Sequence, residues 1–543
     1  MTPSVEETSS PAATRPRLPR QIAYIIGNEG CERFSFYGMR NILTQFLVSS
    51  ALLFAATQEV SRTEKEAAAK EVFHTFVLGV YFFPLLGGWL ADRFLGKYRT
   101  ILYLSLVYCV GQACLALSVA DKAGFYVGLF LIALGSGGIK PCVSAFVGDQ
   151  FDQSNKSLAR YVFDAFYWII NFGSFFASLL MPLFLRHLGP AIAFGIPGVL
   201  MFISTVILWL GRRLYVDVPP APPHPDSFVR VVRSALVASG PGGEGRRGLG
   251  LALFGGGVAV VCLALGFLDL GRMLLAGAHP LLGVAQWWCL ALVAAIGFVG
   301  VGAWWQLDRA RGAHPAAAVE GARSVLRILV LFALVTPFWS LFDQKASTWV
   351  LQANGMTKPD WFEPSMMQAL NPLLVMLLIP FNNLVLYPAL RRAGFEPTPL
   401  RRMGAGIAFS GLSWVVAGAI QLALDGGEPL SITWQVLPYA LLTLGEVLVS
   451  ATGLEFAYSQ APGSMKGAIM AFWSLAVTVG NLWVLLVNTA VRNDAVTTAV
   501  ARSGVGVMSF LMFFFAAFAF VAAAAFAVYA ARYPLADHYR KSE

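Results

Sequence analysis

Four ionisable side chains, Glu29, Glu32, Arg33 and Arg40, stand inside the first apolar run of this chain. At the centre of a membrane helix each charge costs about 2.5–3.5 kcal/mol. Four of them facing lipid would cost roughly 10–14 kcal/mol on the same scale, so they are expected to line a wet, protein-walled cavity and pair with one another. Helical spacing agrees. Glu29, Arg33, Phe36 or Tyr37, and Arg40 recur every three to four residues and form one stripe, with Glu32 beside it. Mixed signs on one stripe permit a switch: a carboxylate held by Arg33 stays ionised, whereas one that loses its partner in a low dielectric takes up a proton. The plain alternative is a static ion pair.

Further candidates lie downstream. Lys140 follows GSGGI, where small residues permit close helix approach. His74 sits in EVFHTF, where proton coupling and a structural hydrogen bond are both open readings. Trp339 and Asp343 are four apart, as are Glu455 and Ser459, so each pair shares a helix face.

These side chains are carried by a chain of unusual composition. Of 543 residues, 57% are hydrophobic and 13% charged, with mean hydropathy +0.65; soluble domains carry about 25% charged residues. Long apolar runs follow one another with short basic breaks, which reads as an all-α polytopic membrane protein. The net charge of +9 is placed in those breaks, a positive-inside bias rather than a nucleic-acid surface. The six cysteines form no CxxC pair, and no His-rich cluster or nucleophile–base pair is visible. Neither a metal, a cofactor nor an enzymatic reaction is therefore expected.

The hydropathy pattern predicts fourteen spans. Six run near 21–50, 71–92, 99–119, 124–146, 160–185 and 190–211. After a Pro- and Gly-rich linker come two plain spans, 249–271 and 283–306. Six more lie near 325–352, 366–390, 402–424, 432–459, 466–489 and 506–531. The expected organisation is a disordered cytoplasmic tail (1–20), a first six-helix bundle (21–214), a linker with two accessory helices (215–320), a second six-helix bundle (321–532) and a second tail (533–543). No secretory signal is expected at the start of the sequence. Arg15, Arg17, Arg20, Arg93, Lys97, Arg99, Arg212, Arg213, Arg391, Arg392, Arg401, Arg402, Arg532, Arg540 and Lys541 all fall on one side, so both termini are expected to be cytoplasmic. Arg186, Arg272 and Lys358 are exceptions on the opposite side. Six, two and six suggests two bundles that rock about a central site.

EGCERFSFYG, Glu29 to Gly38, resembles the ExxERFxYYG motif of the proton-dependent oligopeptide transporter family, part of the major facilitator superfamily. GGWLADRFLGKYRT, GSGGIKPCVSAFVGDQF, FYWIINFGS, FWSLFDQ, NPLLV and GLEFAYSQAP resemble further motifs of that family, in the same order. The likeness runs from about residue 20 to the end and is of the bacterial type with two extra central helices. It implies proton-coupled uptake of di- and tripeptides at the cell inner membrane, with peptides, protons and the bilayer as partners. Nitrate, other small anions and peptide-like compounds are the alternative substrates on the same fold. The oligomeric state is open, with function as a monomer expected. One departure stands out: Phe36 occupies a position where the family usually has tyrosine, which removes a hydroxyl.

The resemblance also implies site roles. Glu29, Glu32, Arg33, Lys140, Asp343 and Glu455 would couple protons. A zwitterionic peptide needs cations for its carboxylate and an anion for its ammonium. Arg40 and Lys140 would supply the cations from the first bundle, and Glu455 the anion from the second. Asn171 and Asn371 would contact the peptide backbone. Tyr37, Tyr81, Tyr167, Trp339, Ser459 and Trp473 would line the site, with aromatic packing the alternative for Tyr81 and Tyr167. Depth alone places Glu446 nearer the midplane than Glu455, but the motif favours Glu455. Asp92, Arg93, Lys97 and Arg99 read as a cytoplasmic gate latch, not as part of the site.

Overall fold

The computed structural model describes residues 18–54, 60–151, 156–220, 224–238, 246–276, 283–460, 465–491, 494–502 and 504–534. Arg15, Arg17, Arg540, Lys541 and nearly all of both tails lie outside them.

The described residues are almost entirely helical. Thirteen helices are long and apolar enough to cross a membrane. A fourteenth, α1 (Gln21–Ser49), is long enough to cross but carries the charges discussed above and falls short of the same apolarity. Its 29 residues would reach about 43 Å at 1.5 Å per residue, beyond the ~30 Å hydrocarbon core. The others are α2 (Arg62–Leu95), α3 (Lys97–Leu117), α4 (Lys122–Asp149), α5 (Lys156–Leu188), α6 (Pro190–Arg213), α7 (Arg247–Ala276), α8 (Val284–Trp305), α9 (Ala316–Asn354), α10 (Pro364–Arg392), α11 (Pro399–Asp425), α12 (Val436–Ser459), α13 (Lys466–Val491) and α14 (Val507–Ala531). The fourteen expected spans are each met by one of these.

Helix ends differ from the hydropathy reading for local reasons. α2 starts nine residues before the expected 71, because Ser61 and Glu64 form a reciprocal capping box ahead of the apolar stretch. α9 likewise gains polar turns at its start. The linker, expected as irregular, holds a short amphipathic helix, Phe228–Val237, which buries Phe228, Val231, Val232, Ala235 and Leu236. The prolines before it mask its periodicity.

Two large apolar cores divide the chain. One is built from residues of α1–α6, the other from the short helix and α8–α14. Within the first, α1 packs on α5 and α6, and α3 on α4; within the second, α9 packs on α13, and α11 on α12 and α14. Across the seam α2 meets α13 and α5 meets α10. Close approach depends on glycine at the α2–α4 contact: a Cβ on Gly87 would lie 2.1 Å from the Gly138 carbonyl oxygen. The α7–α8 hairpin closes on itself the same way at Gly248 and Gly302.

Candidate functional site

Because α1 is helical through residues 29–40, its charged stripe forms as the spacing predicts. Arg33 Nε lies 2.5 Å from Glu29 Oε1 and 3.2 Å from Glu32 Oε2. Glu29 and Glu32 are almost wholly buried. Ser136 on α4 donates to Glu32 Oε1 at 3.3 Å, which ties the cluster to the GSGGIK turn.

Lys140 lies one turn beyond Ser136. Its Nζ stands 4.4 Å from the ring centres of both Phe36 and Tyr81. Phe36 thus offers a ring face to a cation, as a tyrosine there would, an interaction of about 0.5–2 kcal/mol depending on desolvation. Tyr37 packs edge-on against Phe36.

The two bundles are stitched together through α1, α2, α9 and α13. Arg40 meets Asp343 at 2.7 Å, with both side chains buried. Asn481 donates from Nδ2 to the other Asp343 oxygen at 2.8 Å. A carboxylate only accepts, so the Asn481 carbonyl oxygen faces His74 Nδ1, 2.7 Å away. His74 Nε2 lies 2.9 Å from Ser347 Oγ. Thr44 donates to the Ala346 carbonyl, Gln368 to that of Asn41, and Asn354 to the Gln45 side chain. Arg186 pairs with Glu363 at 2.9 Å and also donates to the Asp360 carbonyl. All these cross-bundle bonds lie toward the face at which α1 and α9 end.

The second bundle contributes its own chain of contacts. Lys345 donates to Asn371 Oδ1 at 2.7 Å, and Asn371 donates to Glu446 at 2.6 Å and to Thr443 at 3.1 Å. Lys345 also sits over the Phe342 ring. Trp339 and Trp473 meet edge to face at 5.8 Å, with Phe332 against Trp473. The indole N–H of Trp339 has no hydrogen-bond partner among the described residues.

Asn171 donates from its amide to the Tyr167 carbonyl of its own helix, and the exposed Tyr167 side chain lies within electrostatic reach of Tyr37 and Glu446. Glu455 and Ser459 fall on α12, but their side chains lie outside the described residues. Lys97 pairs with Asp149 at 2.5 Å, within the first bundle rather than between bundles, while Asp92, Arg93 and Arg99 are exposed. Lys345, Ser347, Asn481, Thr443 and Glu446 belong to the network and escaped the sequence reading or were set aside. Lys345 directly follows the quoted FWSLFDQ motif. Asn481, an amide in an apolar run, was also a visible signal. No group of three metal-ligating side chains occurs among the described residues.

A family model described as the POT family matches residues 98–505. A solved auto-inhibited POT family peptide transporter is 64% identical, with TM-score 0.91, over 96% of this chain and 99% of that one. Peptide transporter family 1 of Drosophila melanogaster is 33% identical over 77% of this chain and 50% of its own length. Solute carrier family 15 member 2 of Mus musculus is 33% identical over 83% of this chain and 56% of its own. The chain thus spans about half the length of these curated relatives.

Proposed function

The chain belongs to the POT family, and on that premise we propose that it carries di- and tripeptides into the cell with protons by alternating access. It is a multi-pass membrane protein with two six-helix bundles of the major facilitator type and an inserted hairpin. Relatives named as peptide transporters support the substrate class. The observation that carries the mechanism is the buried chain Arg40–Asp343–Asn481–His74, which joins the two bundles.

The parts have separable roles in this reading. Glu29 and Glu32 share Arg33, so withdrawal of Arg33 toward a peptide carboxylate leaves a buried carboxylate that takes up a proton. Lys140 and Arg40 face the peptide carboxylate from the first bundle. Glu446, joined to Asn371 and Lys345, is available to the ammonium alongside Glu455. Trp339 and Trp473 wall the space left for variable side chains. The bonds around Arg40 and Asp343 close the outer end and must part before peptide enters.

The basic residues on the face opposite that seal support cytoplasmic termini in an inner membrane. One proton crossing about 100 mV supplies ~2.3 kcal/mol, and one pH unit adds ~1.4 kcal/mol. Together they sustain roughly several-hundred-fold accumulation of a neutral peptide.

The test is uptake of labelled dialanine into proteoliposomes. An inward proton gradient should stimulate it and unlabelled dipeptide should compete. Gradient-independent uptake would remove the coupling, and saturable nitrate uptake without peptide competition would replace the substrate.

A further inference from the structure

The inserted hairpin ends in two tryptophans, Trp304 and Trp305, which are 39% and 62% exposed. Gln306, Asp308, Arg309 and Arg311 follow at once. Aromatic side chains at the end of an apolar helix, followed by charge, mark a membrane–water boundary.

Two arginines of α9 stand beside this boundary. The guanidinium carbons of Arg323 and Arg327 each lie 5.6 Å from the Trp304 ring centre. They differ in how their charge is met. Arg323 pairs with Asp308 at 2.9 Å and Glu320 at 3.3 Å. Arg311 uses the same two acids, at 3.0 and 3.2 Å. Two guanidinium groups therefore share two carboxylates, and Arg327 has no carboxylate partner among the described residues. Its backbone carbonyl accepts from the Tyr529 hydroxyl of α14 at 3.2 Å. Arg327 of α9 thus touches both α8, through Trp304, and the end of α14, through Tyr529.

Its surroundings are those of a lipid boundary. On the hairpin that carries Trp304, Phe254 of α7 and Val301 and Trp305 of α8 present exposed apolar surface. A group bound here needs a negative charge for Arg327 and an acyl chain for the hairpin.

We propose that Arg327, with Arg323 and the Trp304 ring, binds the headgroup phosphate of an anionic phospholipid. The guanidinium fork matches two phosphate oxygens, and basic crevices between membrane helices suit anionic headgroups. The hairpin then has a task separate from transport chemistry: it supplies the aromatic wall. This inference needs only that the helices cross a bilayer, and it does not rest on the peptide reading.

Native mass spectrometry of the full purified chain, with phosphatidylglycerol or phosphatidylcholine added, tests it. Arg327→Gln should retain phosphatidylglycerol about five-fold more weakly, the size expected for one basic residue at an anionic surface, with phosphatidylcholine unchanged. Trp304→Leu should weaken phosphatidylglycerol in the same direction while leaving every charge in place. Arg391→Gln removes a charge elsewhere on the same face and should have no effect. Melting in phosphatidylcholine alone checks folding, and Arg327→Lys serves if the glutamine variant fails it. Equal retention by wild type and both Arg327 and Trp304 variants overturns the proposal. So does an equal loss in Arg391→Gln, or displacement of the lipid by millimolar inorganic phosphate.

Discussion

Arg40 on α1 and Asp343 on α9 are 303 positions apart and meet at 2.7 Å between the two bundles. Leaving one member of a buried ion pair without its partner costs about 3–5 kcal/mol. Asp343→Asn keeps the shape and leaves Arg40 unpaired, so the sealed end should open more often. A cysteine in place of the buried Thr44 should then react at least ten-fold faster with an impermeant maleimide added outside. An unchanged labelling rate would remove the pair from the seal.

The Glu29–Glu32–Arg33 cluster should separate coupling from binding. Glu29→Gln, Glu32→Gln and Arg33→Ala are each expected to abolish gradient-driven dipeptide uptake while counterflow exchange persists. Gradient-driven uptake surviving in all three would sink the proton switch.

In the proposed cycle two acids of α12, Glu446 and Glu455, are the candidates for the peptide ammonium. Glu446 is held by Asn371 at 2.6 Å, and a bond to a charged group is worth about 1.5–3 kcal/mol. Glu446→Gln should therefore weaken dipeptide binding by roughly ten- to a hundred-fold. Glu455→Ala should hurt most for peptides with a free amino end. Equal losses for N-blocked peptides, measured by competition, would take that role from Glu455.

Phe36 is the position where this chain departs from its family motif. Phe36→Leu removes one ring from Lys140, and loss of about 0.5–2 kcal/mol predicts a two- to thirty-fold weaker apparent peptide affinity. Phe36→Tyr keeps the ring and should stay within about two-fold. If the leucine variant matches wild type, the ring contact has no part in binding.

Adjacent glycines of α2 offer a packing test. A Cβ at Gly87 would sit 2.1 Å from the Gly138 backbone, whereas one at Gly88 meets nothing within 4 Å. Gly87→Ala should lower the melting temperature or the folded yield sharply, because backbone cannot yield as a side chain can. Gly88→Ala should behave as wild type.

Hydropathy alone determined that this chain crosses the membrane, where each span lies, and that the charges of α1 must pair. Those inferences rest on short-range physics: the length of an apolar run, the 3.6-residue period, and the cost of a charge in hydrocarbon. The Glu29–Arg33 contact, one helical turn apart, was legible for that reason. The short helix Phe228–Val237 was not, since the prolines before it read as linker. Which distant side chains meet was decided only by the tertiary structure. His74 and Asn481 are 407 positions apart, and Lys345 reaches Glu446 through Asn371. A buried polar group must find a partner, but the sequence states only that need. The packing of α2 on α13, and of α9 against α10 and α12, selects which partner is within 3 Å.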